Sequence, residues 1–245
     1  MFSPRSTQAN FGTHSGTWQR LKQLPSVCWV CHAWPSQPLC GACVTQFAQP
    51  QARCPTCALP CDDGVCTSCP HTPAALDSCL CAVNYGYPWA DCVARFKFQA
   101  DPGMGRALAQ LMRHAPWVEP ALEAADCLIP MPLSLQRLGE RGFNQAHELA
   151  RHLDARKADP HTLLRIERSA HQVGHSRTER QANVLGSFWV DPQRLLHVRD
   201  KCVVLVDDVM TTGASLFEAA HTLRKAGATH ITGLVFARTV PRIAA

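Results

Sequence analysis

The sequence predicts an α/β protein with a largely parallel sheet, preceded by a small cysteine-rich module. Three observations carry that prediction. From about residue 73 onward, strand-like and helix-like segments alternate. A continuous apolar run, Cys202 to Val206, leads straight into two aspartates. Near the N-terminus one cysteine pattern occurs twice. Alternation of this kind builds parallel βαβ units, and 245 residues give room for one full domain plus a small module.

Residues 1–25 come first. "MFSPRSTQANFGTHSGTWQR" is polar and has no apolar core segment, so it does not read as a secretory signal. Residues 1 to about 16 read as disordered, and "TWQRLKQL" as a short helix ended by Pro25. No apolar run approaches the ~20 residues that span a bilayer, so the expectation is a cytoplasmic chain with no membrane partner. The formal charge of +5 permits polyanion partners without demanding them.

Fourteen cysteines in a chain with no export signal point to metal thiolates rather than disulfides. Cys28, Cys31, Cys40 and Cys43 form C-x2-C-x8-C-x2-C; Cys54, Cys57, Cys66 and Cys69 repeat it 26 positions later. Each C-x2-C supplies two thiolates from one tight turn, and two such turns close a tetrahedral zinc site. A segment this short buries little core, so the metal supplies its folding energy. Residues 26–72 therefore read as a double zinc ribbon with two structural Zn2+ sites. Cys61 breaks the symmetry and is an alternative to Cys66, against which the repeat argues. Pro70 and Pro73 mark the boundary to a second domain, 73–245.

Within that domain "CLCAVNY" (79–85) is strand-like, "PWADCVARFKF" (88–98) has proline at a helix start, and "MGRALAQLMRHA" (104–115) is helical. "DCLIPMP" (126–132) is an apolar strand with a proline stop. "NQAHELARHLDAR" (144–156) sets Ala146, Leu149, Ala150 and Leu153 on one helical face. "TLLRIE" and "SFWV" are short strands. The last unit predicts a strand at 202–206, a helix at about 216–226 and a strand at 230–237. Ser215 and Glu218 are spaced as a capping box; Leu216, Ala219, Ala220 and Leu223 form the apolar face, and Gly227 ends the helix.

The stretch "VVLVDDVMTTGAS" (203–215) lies between a strand end and a helix N-terminus. Ligands of parallel sheets bind at the carboxyl ends of the strands. Backbone N–H groups there point outward and favour anions. Gly213 lets the backbone come close, and Thr211, Thr212 and Ser215 add hydroxyl donors. Together these make a phosphate cradle. Asp207 and Asp208 would repel the phosphate itself, but suit vicinal hydroxyls or a bound Mg2+ one sugar away. A ribose 5-phosphate unit has that layout. No G-x-x-x-x-G-K-[ST] occurs, which argues against a P-loop NTPase.

These thirteen residues resemble the phosphoribosyl pyrophosphate (PRPP) motif of type I phosphoribosyltransferases. The resemblance implies that Asp207 and Asp208 bind ribose hydroxyls and Mg2+, and that Thr211, Thr212, Gly213, Ala214 and Ser215 bind the 5-phosphate. "IPMPLSLQRLGERGFNQAHELA" is similar to the first strand and pyrophosphate loop of the amidophosphoribosyltransferase-like branch, with Arg137 and Arg141 as the available cations. "FK" at Phe96–Lys97 and the run Gln172 to Asn183 also fit. With the paired C-x2-C modules, the whole resembles the ComF family, competence-associated phosphoribosyltransferase-like proteins. That family implies a link to uptake or handling of single-stranded DNA, often beside a helicase-like partner.

Two functional readings follow. In the first the chain is a phosphoribosyltransferase that uses PRPP with Mg2+; its acceptor is not legible. In the second it is a non-catalytic platform for nucleic acid or protein, using the zinc ribbons and the basic segment around Arg165, Arg168, Arg177 and Arg180.

Overall fold

The computed structural model describes residues 26–62, 66, 69, 75–98, 103–166 and 185–240. The expected disorder at 1 to about 16, the helix in "TWQRLKQL", and Arg168, Arg177, Arg180 and the Gln172–Asn183 run lie outside the described residues. The chain divides into two compact units, residues 1–40 and 41–245. In the first, Ser26 and Ser36 form an antiparallel bridge, and the Trp29 N–H donates to the Pro38 carbonyl at 2.9 Å.

The second unit opens with α1 (Gly41–Phe47), then β1 (Ser78–Asn84), α2 (Trp89–Phe98), α3 (Gly103–Arg113), α4 (Val118–Ala124) and β2 (Cys127–Pro130). There follow α5 (Leu135–Arg141), α6 (Gln145–Leu153), β3 (Leu163–Arg165), β4 (Phe188–Val190), a 3-10 turn (Pro192–His197), β5 (Cys202–Met210), α7 (Ala214–Lys225) and β6 (His230–Arg238). Four strands form one sheet in the order β1–β6–β5–β2, every neighbouring pair parallel. β3 and β4 pair antiparallel as a separate ribbon. This is the α/β, parallel-sheet architecture that the alternation predicts.

Both faces of the sheet are covered, as a parallel sheet requires. On one face Cys79, Cys81, Ile129, Val203, Leu205, Ile231 and Val235 share a core with Leu216, Ala219, Ala220 and Leu223 of α7. Those four are the apolar face read from the sequence. The turn Cys54–Leu59 joins the same core through Cys54, Cys57, Ala58 and Leu59. On the other face α6 packs on β5, β2 and α3. Trp89 of α2 is 2% exposed; its indole N–H donates to the Phe47 carbonyl at 2.9 Å, and its ring meets Phe236 edge-on at 6.1 Å.

Three differences from the sequence reading have physical causes. β5 runs four residues past Val206, because Asp207, Val209 and Met210 still pair with Val235, Ala237 and Arg238. "LQRLGER", read as loop, is helix α5: it buries no side chain, so it carries no apolar period to detect. Its signals are local, the Ser134 hydroxyl accepting the Arg137 N–H at 3.3 Å and Gly142 ending it at φ 77°. The capping box at Ser215–Glu218 is not formed. Gly213, at φ 84°, is the residue before α7, so Ser215 already lies inside the first turn and cannot cap it. Glu218 instead accepts the Gly186 N–H at 2.7 Å. The other end is as expected: Gly227 has φ 99° and the Ala228 N–H donates to the Leu223 carbonyl at 3.1 Å.

Candidate ligand site and cysteine clusters

The acidic pair sits near the carboxyl end of β5, where a period-2 strand turns adjacent side chains to opposite faces. Asp208 is 6% exposed, and its Oδ1 lies 2.9 Å from Lys97 Nζ, which reaches in from the last turn of α2. Asp207 keeps part of its surface accessible, but protein encloses it closely. Burial, then the Asp208 carboxylate, push its pKa up to about 7. The Asp208 N–H, donating to Asp207 Oδ1 at 2.9 Å, and the cations Lys97 and Arg141 pull the other way. Asp208 is thus paired with Lys97, while Asp207 feels both cations and the neighbouring carboxylate and stays raised because burial outweighs the cations.

The loop that follows is ordered from within. The Thr212 hydroxyl accepts the Ala214 N–H at 3.3 Å, and the Phe217 N–H donates to the Gly213 carbonyl at 2.9 Å. A Cβ on Gly213 would stand 2.4 Å from Met210 Cε and 2.6 Å from Phe217 Cε2. Glycine is thus required by φ and by space alike. Helix α7 begins at Ala214, so the first N–H groups of a twelve-residue helix face the region after Met210.

The two arginines expected to hold pyrophosphate part company. Arg141 acts electrostatically on Asp207, donates to Gln145 Oε1 at 2.9 Å and lies 5.7 Å above the Phe98 ring. Arg137 is exposed on α5 and makes no side-chain hydrogen bond or ion pair among the described residues. In the sequence Lys97 stands out only as the second residue of "FK"; its signal is its place in the last turn beside Phe96, which is 0% exposed. Arg238 was missed altogether. An arginine closing an otherwise apolar strand, "HITGLVFAR", is the hint that was available.

A cavity of about 850 Å³ lies elsewhere, over the amino-terminal halves of the strands, where Ser78, Leu80, Val204 and Thr232 face Trp117 and Pro120. None of the acidic pair, the loop or the arginines lines it.

No disulfide joins any of the fourteen cysteines, all of which lie among the described residues. In the second repeat, Cys54/Cys57/Cys66/Cys69, the four sulfurs lie within 4.8 Å of one another, and in the first so do those of Cys28, Cys31 and Cys40. The Cys31 and Cys40 sulfurs are 3.7 Å apart, and those of Cys57 and Cys66 3.3 Å. A tetrahedron with Zn–S bonds of ~2.3 Å needs sulfurs ~3.8 Å apart, so both groups fit zinc. Cys61 is not one of either four. Burial disfavours the Cys28 thiolate, but N–H groups of Cys31, Cys40 and Val30 directed at its sulfur bring its pKa down to about 6. Cys54 falls to about 6 in the same way, against its burial, through Cys66, Cys57 and Thr56. Cys57 and Cys69 go the other way, because burial and the neighbouring cysteines disfavour their thiolates.

A family model described as a phosphoribosyl transferase domain matches residues 139–240. The chain is 31% identical over 202 residues to competence protein ComFC of Bacillus subtilis, spanning 79% of this chain and 80% of that protein. It is 30% identical over 207 residues to competence protein F of Haemophilus influenzae, 80% and 82% of the two chains. The chain belongs to the ComF family. Another relative of this ComF member, the DNA utilization protein YhgH of Salmonella typhimurium, is 28% identical over 229 residues, 89% of this chain and 99% of that protein. The matched phosphoribosyl transferase region holds β5, the acidic pair, the following loop and Arg141. Lys97, Arg137 and both cysteine groups of the ComF chain lie outside it.

Proposed function

We propose that this ComF-family protein binds PRPP or ribose 5-phosphate, with Mg2+, at the carboxyl edge of β5, and that it acts in DNA uptake or single-stranded DNA handling in the cytoplasm. The observation that carries the reading is the sequence of charges along one connection: Asp207 and Asp208, then Thr211 to Ser215, then the N-terminus of α7. Carboxylates suit the ribose hydroxyls. The loop N–H groups and the hydroxyls of Thr211, Thr212 and Ser215 suit the 5-phosphate. Lys97, paired with Asp208, and Arg141, acting on Asp207, are the cations beside the acidic pair that suit a pyrophosphate. Relatives named for competence and for DNA utilization support the setting.

The chemistry such a site suits is pentosyl transfer. An acceptor's lone pair forms a bond to C1 of the ribose while the bond from C1 to the pyrophosphate oxygen breaks, its electron pair leaving with pyrophosphate. Bound Mg2+ would neutralise charge on the departing group. The protein's own part is to fix the ribose through Asp207 and Asp208, hold the 5-phosphate still, and offer Lys97 and Arg141 to the developing negative charge. Calorimetry with PRPP, ribose 5-phosphate and inorganic phosphate, each with and without Mg2+, tests the reading. Saturable PRPP binding that strengthens with Mg2+ is the expected result. The absence of binding for all three ligands overturns it. Release of pyrophosphate with candidate acceptors then separates an enzyme from a binding platform.

A further inference from the structure

The last residue of β6 holds the phosphate loop and the second cysteine cluster together. Arg238 is 4% exposed and lies in register between Asn84 of β1 and Met210 of β5. Its Nε donates to the Cys57 carbonyl at 2.7 Å. Its Nη1 donates to the carbonyls of Met210 at 3.1 Å, Thr239 at 2.8 Å and Thr211. One guanidinium thus spans the turn that carries two cluster cysteines and the first residue of the loop.

The charge makes the arrangement informative. Among the described residues, the partners of this guanidinium are all carbonyl oxygens; no carboxylate pairs with it. A cation this deeply buried is costly without an anion close by. Two anions would flank it. Four thiolates around one divalent zinc carry a net double negative charge. On the other side lies the loop assigned to a phosphate.

Cys57 also sits in a backbone-bonded turn that carries two of the cluster's four cysteines. The Ala58 N–H donates to the Cys54 carbonyl at 2.9 Å, the Cys54 N–H to the Leu59 carbonyl at 2.8 Å, and Ala58 adopts φ 56°. A non-glycine residue at positive φ is held there by its surroundings. The Cys79 N–H donates to the Pro55 carbonyl at 2.6 Å, so the same turn is fastened to β1.

We infer that Arg238 is a positioning residue that couples metal occupancy of Cys54, Cys57, Cys66 and Cys69 to the shape and affinity of the Thr211–Ser215 loop. With the metal in place the Cys57 carbonyl and the cluster's negative charge hold the guanidinium, and the guanidinium holds the Met210 and Thr211 carbonyls. Without the metal, neither the closed turn nor the charge is there to hold it, and the loop loosens. The coupling is reciprocal, so a phosphate ligand raises the metal affinity of this cluster by the same factor. The affinity half of this inference rests on the phosphate reading of the loop; the mechanical half does not.

Hydrogen exchange on the full chain tests the mechanical half without any ligand. Chelation of the wild-type protein should speed amide exchange across residues 209–215 about tenfold or more. Arg238→Met, with two metals still bound, should show the fast exchange already and respond little to chelation. Arg238→Lys keeps the charge but cannot reach four carbonyls, and should fall between. Cys31→Ser, lacking the first-cluster metal, should respond to chelation like the wild type. In titrations with PRPP, metal-loaded Arg238→Met should bind roughly tenfold more weakly than the wild type.

Loop exchange that ignores chelation overturns the inference, as does an Arg238→Met protein that exchanges and binds like the wild type. If the loop loosens as described but the wild type binds neither PRPP nor inorganic phosphate, the brace stands and the phosphate reading falls. If PRPP binds the wild type and every variant alike, the phosphate reading stands and the affinity half of the inference falls.

Discussion

Asp159 and the Asp207–Asp208 pair are the same chemistry in two settings. Asp159 is 9% exposed, in the connection after α6. It accepts the Thr162 hydroxyl at 2.6 Å and the His161 N–H at 3.0 Å, and pairs with Arg194 at 3.0 Å and His197 at 3.1 Å. Burial opposes its ionisation, but these partners outweigh it and hold its pKa below the usual carboxylate range. Asp207 has one backbone N–H and a close carboxylate, and its pKa goes the other way, to about 7. Burial is common to both; partners are not. A carboxylate with a full set of partners fastens the fold. One kept short of partners beside a second carboxylate is the group on which the ligand proposal rests.

The largest expected effect is on ligand affinity. Asp207→Asn and Asp208→Asn should each weaken PRPP binding about ten- to hundredfold, the loss of a charge-assisted hydrogen bond. Asp159→Asn should leave affinity at the wild-type value. Calorimetry on the three variants decides, and an Asp159→Asn loss as large as the others would erase the distinction. Next in size is stability. Asp159→Asn should lower the unfolding free energy by about 2 kcal/mol in urea at neutral pH, because Arg194 and Thr162 lose a charged acceptor.

The pH dependences should run in opposite senses. The folded pKa of Asp207 lies above its unfolded value of about 3.9. Its contribution to stability is therefore complete below about pH 4 and is lost as pH rises through about 7. Asp207→Asn should then become more stable than the wild type at about pH 8, an advantage that shrinks toward about pH 5. Asp159 has a depressed folded pKa, so its contribution is present above about pH 4 and is lost as pH falls through the folded pKa. Urea midpoints for both variants across that range check the signs. The smallest effect separates the arginines. Arg141→Ala should raise the Asp207 pKa and cost several-fold in PRPP affinity, whereas Arg137→Ala should change it by about twofold at most, as an exposed charge would.

The sequence made some of this legible and not the rest, for physical reasons. Continuous apolar runs announced β5 and β6, because strands covered on both faces need them. The face of α7 was readable residue by residue, because its four buried positions follow the helical period. The eight cysteines were readable because ligand spacing is a local property. Helix α5 was not, since a helix that buries nothing leaves no period. The partners of Asp208 and Cys57 were not, since Lys97 and Arg238 reach them only once strands and helices have packed. Arg137 and Arg141 looked equivalent in a string of letters; four residues along a short helix set one near the acidic pair and left the other exposed.

The first strand of the sheet is next to the last. β1 has β6 as its neighbour, and the Arg238 to Cys57 bond joins residues 181 positions apart. A ribosome extending the chain at about 5–20 residues per second leaves β1 and the second cysteine turn waiting roughly 10–40 s for that partner. Over that interval β1 is an unpaired apolar edge, the kind that sticks to other chains. The cysteine cluster has no such wait, since its four ligands span only residues 54 to 69. The cysteine turn can therefore be complete long before β6 exists, whereas β1 stays open along one edge until the chain is nearly finished.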